Sequence, residues 1–223
     1  MNVARYMDHA VLKPDMTREQ VREAIQMGID YHVYSVCVRG CDIETALEMT
    51  KGSDTLVSCV LDFPYGYSGI EVKRAAAMDY VAKGVHEIDM VMNYGLARGG
   101  EWETVESEIR AVVEQAHKKN VLVKVIFETS QLTIEQIRKA TRVSIAAGAD
   151  FVKTSTGFNG GGATVEAVKA MLEEAGDRIK VKPSGGIRDY QTAKMYLDMG
   201  VHRLGTGFSS CKALCEGEQA HLS

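Results

Sequence analysis

Short apolar runs recur along the whole chain, each followed by a loop holding glycine or proline and then by a segment with apolar residues three or four apart. Runs rich in Val, Ile and Phe fit a pleated surface, and the three-to-four spacing gives a helix one apolar stripe. Strands are predicted to begin near Met7, His32, Leu56, Glu87, Leu122, Phe151, Lys180 and Arg203, with helices between most of them. Repetition of strand, loop and helix predicts a parallel sheet, and eight such strands close a (β/α)8 TIM barrel, here after a short N-terminal helical segment. Thr17 with Gln20 and Thr133 with Gln136 have the spacing of capping boxes, and Val21, Ala24, Ile25 and Met27 form the first helix's stripe. Gly28-Ile29-Asp30, Gly84-Val85-His86, Gly148-Ala149-Asp150 and Gly200-Val201-His202 read as four copies of one helix-to-strand turn, with glycine in the left-handed position. Pro14, Pro64 and Pro183 each come after a predicted strand, where a residue without an N–H is tolerated.

Period-two alternation then singles out polar residues inside the strands. From Phe151 to Gly157 it puts Phe151, Lys153 and Ser155 on one side and Val152 and Thr154 on the other, so Lys153 points away from the face that carries Val152. An unpaired ammonium there would lose its hydration, so the lysine is paired, snorkelling or used as an amine. Lys182 sits in the same kind of place, and Asp89 does so upstream. If the three strands converge, Lys182 depresses the Lys153 amine and Asp89 supplies a charge partner and proton carrier, as imine chemistry requires. Spacing alone leaves a structural, paired Lys153 open beside a catalytic one.

Asp8, Asp62, Asn93, Glu128 and Ser155 also lie within or just after strands, and Lys124 shares a face with Glu128. Ligands of a parallel barrel bind at the carboxyl ends of its strands, so a polar mouth is expected; the plainer alternative is a set of residues that only satisfy one another. Ser184-Gly185-Gly186 after the seventh strand and Gly205-Thr206-Gly207 after the eighth, before a last short helix, have the place and composition of a phosphate cradle. Gly157 closes the sixth strand and joins this candidate set, while Gly160, Gly161 and Gly162 either widen the cradle or only free the loop.

Composition narrows the field further. A chain of 223 residues with 45% hydrophobic content has material for one sizeable core, so a single domain over 1–223 is expected. A net charge of −4 argues against nucleic acid or an anionic membrane as partner and favours a small molecule. No apolar run approaches the roughly 20 residues of a membrane span, and the start lacks a signal-peptide core, so a cytoplasmic location is expected. Five cysteines without a Cys-x-x-Cys pair suit reduced thiols. Cys37/Cys41 and Cys211/Cys215 are each four apart, but neither pair has a histidine at ligand spacing, and no metal site is predicted. His9, His86 and His202 fall at strand starts and read as structural.

The stretches Asp8-His9, Phe63-Pro64, Glu87 to Val91, Lys124-Val125-Ile126, Glu128-Thr129, Gly148 to Gly157 and Val181-Lys182 with Ser184 to Arg188 resemble the deoxyribose-phosphate aldolase family of class I aldolases. The resemblance runs from about Asp8 to Ser210. It implies that Lys153 forms a Schiff base, that Lys182 lowers its pKa and that Asp89 relays protons through water. It implies reversible cleavage of 2-deoxy-D-ribose 5-phosphate into glyceraldehyde 3-phosphate and acetaldehyde, with neither metal nor organic cofactor, by a homo-oligomer in which a dimer is favoured. The chain departs from the family pattern at Ala10, Tyr65, Asn159-Gly160 and Gly207-Phe208, and its tail, ending at Ser223, lacks the terminal tyrosine of some members. Tyr65, Asn159 and Phe208 keep in view a Schiff-base lyase with another aldehyde acceptor, and a third reading is a non-catalytic barrel whose lysines only neutralise the phosphate of a bound metabolite.

Overall fold

In the computed structural model, which describes residues 2–222 and all their side chains but that of Leu222, eight parallel strands stand in the order β7-β6-β5-β4-β3-β2-β1-β8. They are β1 (Met7–Val11), β2 (Ser35–Val38), β3 (Leu56–Leu61), β4 (Glu87–Val91), β5 (Leu122–Ile126), β6 (Phe151–Lys153), β7 (Lys180–Lys182) and β8 (Leu204–Gly207). The open edge is joined by a parallel bridge between Ser184 and Gly205 and by the Gly205 N–H donating to Pro183 O at 2.8 Å, which completes the barrel. Met1 and Ser223 lie outside the described residues, so the far end of the tail does too.

Helices α1 (Arg18–Asp30), α2 (Ile43–Thr50), α3 (Ile70–Lys83), α4 (Tyr94–Gly99), α5 (Trp102–His117), α6 (Ile134–Ala146), α7 (Val165–Ala175), α8 (Tyr190–Asp198) and α9 (Cys211–Leu222) occupy the connections, and a 3-10 turn at Val3–Tyr6 precedes β1. Both capping boxes form: Thr17 and Thr133 accept from the backbone N–H groups of Gln20 and Gln136, whose side chains bond back to the caps. The strands are buried on both sides. Val36, Val38, Val57, Leu61, Ile88, Met90, Val123, Val125, Val152, Val181 and Leu204 belong to the main apolar cluster, which the helix stripes share. The alternate positions turn inward, where the mouth holds a small second cluster of Leu12, Cys37 and Val60 with Ala10 and Phe63.

Three of the four predicted glycine turns form, with Gly84, Gly148 and Gly200 at φ of +96°, +84° and +92°. Gly28 does not take that position, because α1 runs on to Asp30 and the left-handed residue is His32 at φ +53°. Its role is close approach instead: a Cβ there would stand 2.8 Å from Val36 Cγ1 and 3.2 Å from His9 Cδ2, so glycine lets α1 lie against the sheet. For the same reason β2 begins at Ser35, three residues later than the sequence pattern places it.

The histidines prove structural. His86 Nδ1 and His202 Nδ1 accept from Val57 N–H and Val181 N–H, each at 3.2 Å. His9, inside β1 rather than at its start, has Nε2 2.8 Å from Ala24 O, and burial pushes it down to about 4, so its ring is neutral and donates. All five cysteines are free thiols.

Candidate active site

Strand register brings the inward polar residues level with one another. Asp89 of β4 pairs with Lys124 of β5, and Lys153 of β6 pairs with Lys182 of β7. Asp89 Oδ2 accepts from Lys153 Nζ and from Lys182 Nζ, both at 2.8 Å, while Oδ1 accepts from Lys124 Nζ at 2.7 Å. Asp89 and Lys182 are fully buried and Lys153 is 3% exposed. The three residues singled out by alternation therefore meet on one carboxylate.

A second tier lies below them. Lys124 also pairs with Glu87 at 2.5 Å and Asp8 at 3.3 Å, and Lys182 also donates to Asp8. Arg203 donates through Nη1 to Asp8 at 2.7 Å and to Glu87 at 3.0 Å, and its guanidinium stacks on Tyr34, 3.4 Å from the ring centroid. Sequence reading took Arg203 only as a strand start and gave Glu87 no role. A signal existed, since Glu87 lies two residues before Asp89, and Arg203 two before Gly205, in phase with the inward face.

Electrostatics distinguish the two amines. Burial pulls Lys153 down, but the Asp89 charge, Cys37 and the hydrogen bond to Asp89 together outweigh it and hold this amine above its ordinary value. Burial pulls Lys182 down as well, and with Lys153 and Lys124 nearby it stays below its ordinary value despite Asp8 and Asp89. The depression expected for Lys153 thus falls on Lys182, the amine crowded by two like charges. For Asp89, burial works upward, and Lys124, Lys153 and Lys182 together overcome it, keeping the carboxylate ionised well below its usual range.

Above the amines opens a cavity of about 370 Å³, lined by Asp8, Ala10, Leu12, Lys13, Cys37, Lys153, Thr156, Gly157, Phe158 and Lys182, and by residues 184–188 and 205–210. Asp89 does not line it and lies behind the lysines. Gly185 and Gly186 are both at φ +84°, a backbone that turns successive N–H groups into one concavity. At Gly205 a Cβ would fall 2.3 Å from Ser184 Oγ and 3.3 Å from Lys182 Cε, so the missing side chain faces the site. Alternation then turns the Thr206 side chain to the helix side, leaving its backbone to the cavity. Gly162 packs on Gly185, where a Cβ would lie 2.6 Å from its carbonyl oxygen, so the β6 loop supports the cradle from behind. Lys13 and Arg188 bring positive charge to the rim, and Lys13 had no predicted role.

Other expected mouth residues serve the loops instead. Glu128 accepts from Thr156 Oγ1 at 2.5 Å and Asn159 Nδ2 at 2.9 Å, which fastens the β6 loop. Asp62 accepts from Ser68 Oγ at 2.7 Å, and Asn93 caps α4 by accepting from Leu96 N–H. Tyr65 stacks on Tyr67 at the surface, and Phe158 meets Phe63 edge-on. No group of three or more His, Cys, Asp or Glu side chains among the described residues is placed to hold a metal ion. Gly205→Ala tests the close approach: with a Cβ displacing Ser184 and Lys182, kcat/KM is expected to fall about 10²-fold in steady-state kinetics, and full activity would mean the cavity has slack there.

Residues 2–217 match the model of the DeoC/LacD family of aldolases. A deoxyribose-phosphate aldolase of an Exiguobacterium species is 46% identical over 206 residues, covering 92% of each chain. One of Clostridium perfringens is 42% identical over 216 residues, covering 97% of this chain and 95% of its own. Among solved structures, the aldolase QR15 superposes with a TM-score of 0.92 at 35% identity, covering 99% and 97% of the two chains. A tetrameric deoxyribose phosphate aldolase of Aeropyrum pernix gives 0.90 at 28% identity, covering 98% and 92%.

Proposed function

The chain belongs to the DeoC/LacD family of aldolases, and from that premise we propose that it is a lyase which reversibly cleaves 2-deoxy-D-ribose 5-phosphate to D-glyceraldehyde 3-phosphate and acetaldehyde through an imine on Lys153. The observation that supports Lys153 as the nucleophile is its access: both amines stand 2.8 Å from Asp89 Oδ2 and line the cavity, and of the two Lys153 keeps the greater exposure, 3% against 0%. Lys182, held below its ordinary value, is the amine that is free first. A proton shed by Lys153 passes across Asp89 Oδ2 to Lys182, so the nucleophile becomes neutral without a charge leaving the site.

In the synthetic direction the Lys153 lone pair attacks the carbonyl carbon of acetaldehyde, and the carbinolamine loses water as the C=N bond forms. The imine nitrogen takes up the electron pair released when a methyl proton leaves, giving an enamine. Its carbon attacks the aldehyde carbon of glyceraldehyde 3-phosphate, whose oxygen takes a proton, and water hydrolyses the new imine to free the sugar phosphate and the amine. Asp89 and Lys182 carry the protons of these steps. Ser184, Gly185, Gly186, Gly205, Thr206, Gly207 and Gly157, with Lys13 and Arg188, receive the phosphate, and the Gly185-Gly186 backbone supports that role.

Intact mass after treatment with acetaldehyde and borohydride, followed by peptide mapping, tests the reading. One reduced ethyl group on Lys153 is expected; label on another residue or spread over surface lysines would remove Lys153 from the mechanism. A cytoplasmic homo-oligomer, with a dimer as the first assembly, belongs to the same proposal. Sedimentation equilibrium reads the assembly. No helix among the described residues is long and apolar enough to cross a membrane.

A further inference from the structure

The barrel interior holds an unequal set of charges. Its cations are Lys124, Lys153, Lys182 and Arg203, and its anions are Asp8, Glu87 and Asp89. With every group ionised, one positive charge is in excess. Neighbouring groups do not alter this buried balance: Cys37 of β2 is a thiol that burial keeps protonated, β3 brings the Ser58 hydroxyl and Val60, His9 on the outer face of β1 is neutral, Glu128 is tied to Thr156 and Asn159 of the β6 loop, and Lys180, over the Phe151 ring at the amino end of β7, is exposed to solvent. Lys13 and Arg188 stand at the rim of the cavity. Release of one proton neutralises the interior without moving a side chain. The proton comes from an amine, because a guanidinium bonded to two carboxylates keeps its own.

Glu87 and Arg203 are the members of this set farthest from the chemistry. Glu87 opens β4, Arg203 directly precedes β8, and neither lines the cavity. They hold each other through two contacts, Nη1 to Oε2 at 3.0 Å and Nη2 to Oε1 at 3.2 Å, and they reach the amines through Lys124 and Asp8. We propose that Glu87 and Arg203 are positioning residues of opposite sign which, from the amino end of the barrel, set how readily the Lys153–Lys182 pair gives up its proton. Glu87 offsets the charge of Lys124 and so favours retention of that proton, whereas Arg203 supplies the excess charge that favours its release. The inference rests on the imine reading and adds to it the group that fixes its pH range.

The test follows the pH dependence of the Lys153 ethyl adduct, formed with acetaldehyde and cyanoborohydride and measured by intact mass, beside kcat/KM for deoxyribose 5-phosphate. Glu87→Gln leaves two positive charges in excess, and the acidic limb is expected to move down by about one pH unit. Arg203→Met removes the excess, and the limb is expected to move up by about as much. The double variant restores a single excess charge and returns the limb to the wild-type position, and Arg203→Lys, which keeps the charge, leaves it there. Limbs that stay put, or move in the same direction, in variants with native circular dichroism would overturn the proposal. If one single variant does not fold, the direction in the other decides. If neither folds, Glu87→Gln with Arg203→Lys, which carries two excess charges, is expected to have its limb about one unit below that of Glu87→Gln with Arg203→Met, which carries one, and coincidence of the two limbs overturns the proposal. Absence of the adduct from Lys153 in the wild-type protein would instead sink the imine reading, which keeps the two failures apart.

Discussion

Lys153→Arg is expected to lose turnover of 2-deoxy-D-ribose 5-phosphate by about 10⁴-fold or more, since removal of a covalent nucleophile leaves only what binding and electrostatics contribute. Arginine keeps a positive charge beside Asp89 but has no amine that becomes neutral near physiological pH. The cradle formed by residues 184–186 and 205–207 is on other strands, so binding of the sugar phosphate persists and appears as a ligand-dependent rise in the thermal midpoint. Turnover and ligand binding measured on the same preparation separate the readings. Loss of both would point to a damaged cavity, and retention of even a few per cent of turnover would exclude an imine on Lys153. A barrel that only binds a phosphorylated metabolite would lose nothing on this substitution.

Asp89→Asn is expected to separate imine formation from the proton transfers that follow. Lys124, Lys153 and Lys182 all bond to this carboxylate, so its neutralisation removes the charge that holds the Lys153 amine protonated. The amine then deprotonates at lower pH, and trapping with acetaldehyde and borohydride continues. Proton removal from the imine methyl group loses its carrier, and turnover falls by about 10² to 10⁴-fold, the range of a positioned acid or base. Exchange of deuterium from solvent into acetaldehyde reads that step directly. Undiminished exchange would take the relay away from Asp89, whereas loss of trapping would place Asp89 at the amine alone. Lys124, Lys153 and Lys182 then share an uncharged partner, and removal of one member of a buried ion-pair set lowers stability by about 3–5 kcal/mol; urea unfolding checks that figure.

What could be read in advance followed from local rules. Strand positions were legible because β-branched runs and glycine or proline breaks recur with a fixed order, and Thr17-x-x-Gln20 and Thr133-x-x-Gln136 signal helix starts through bonds closed within four residues. That Lys153 points away from the face of Val152 follows from alternation, which depends only on the pleat, and Lys182 and Asp89 stand in like positions of their own strands. Gly28 and the start of β2 depart from the local pattern for the opposite reason. A glycine near a helix end satisfies the left-handed turn and the close packing of a helix on a sheet equally well, and only Val36 and His9 across the contact distinguish them.

The recurring strand, loop and helix period is enough for the barrel, and alternation in β6 is enough to set Lys153 apart from the Val152 face. Which charges share an oxygen follows only from the closed barrel. Closure of eight strands brings residues from 8 to 203 into one ionic cluster, with Lys182 on Asp8 and Arg203 on both Asp8 and Glu87. The proton affinity of each amine is a sum over those neighbours at distances of a few ångströms, so it has no local signature. That is why two lysines alike in sequence, each inward in a short strand beside glycines, differ in the barrel: Lys153 is held up by Asp89, and Lys182 is pressed down by burial and by its two cationic neighbours.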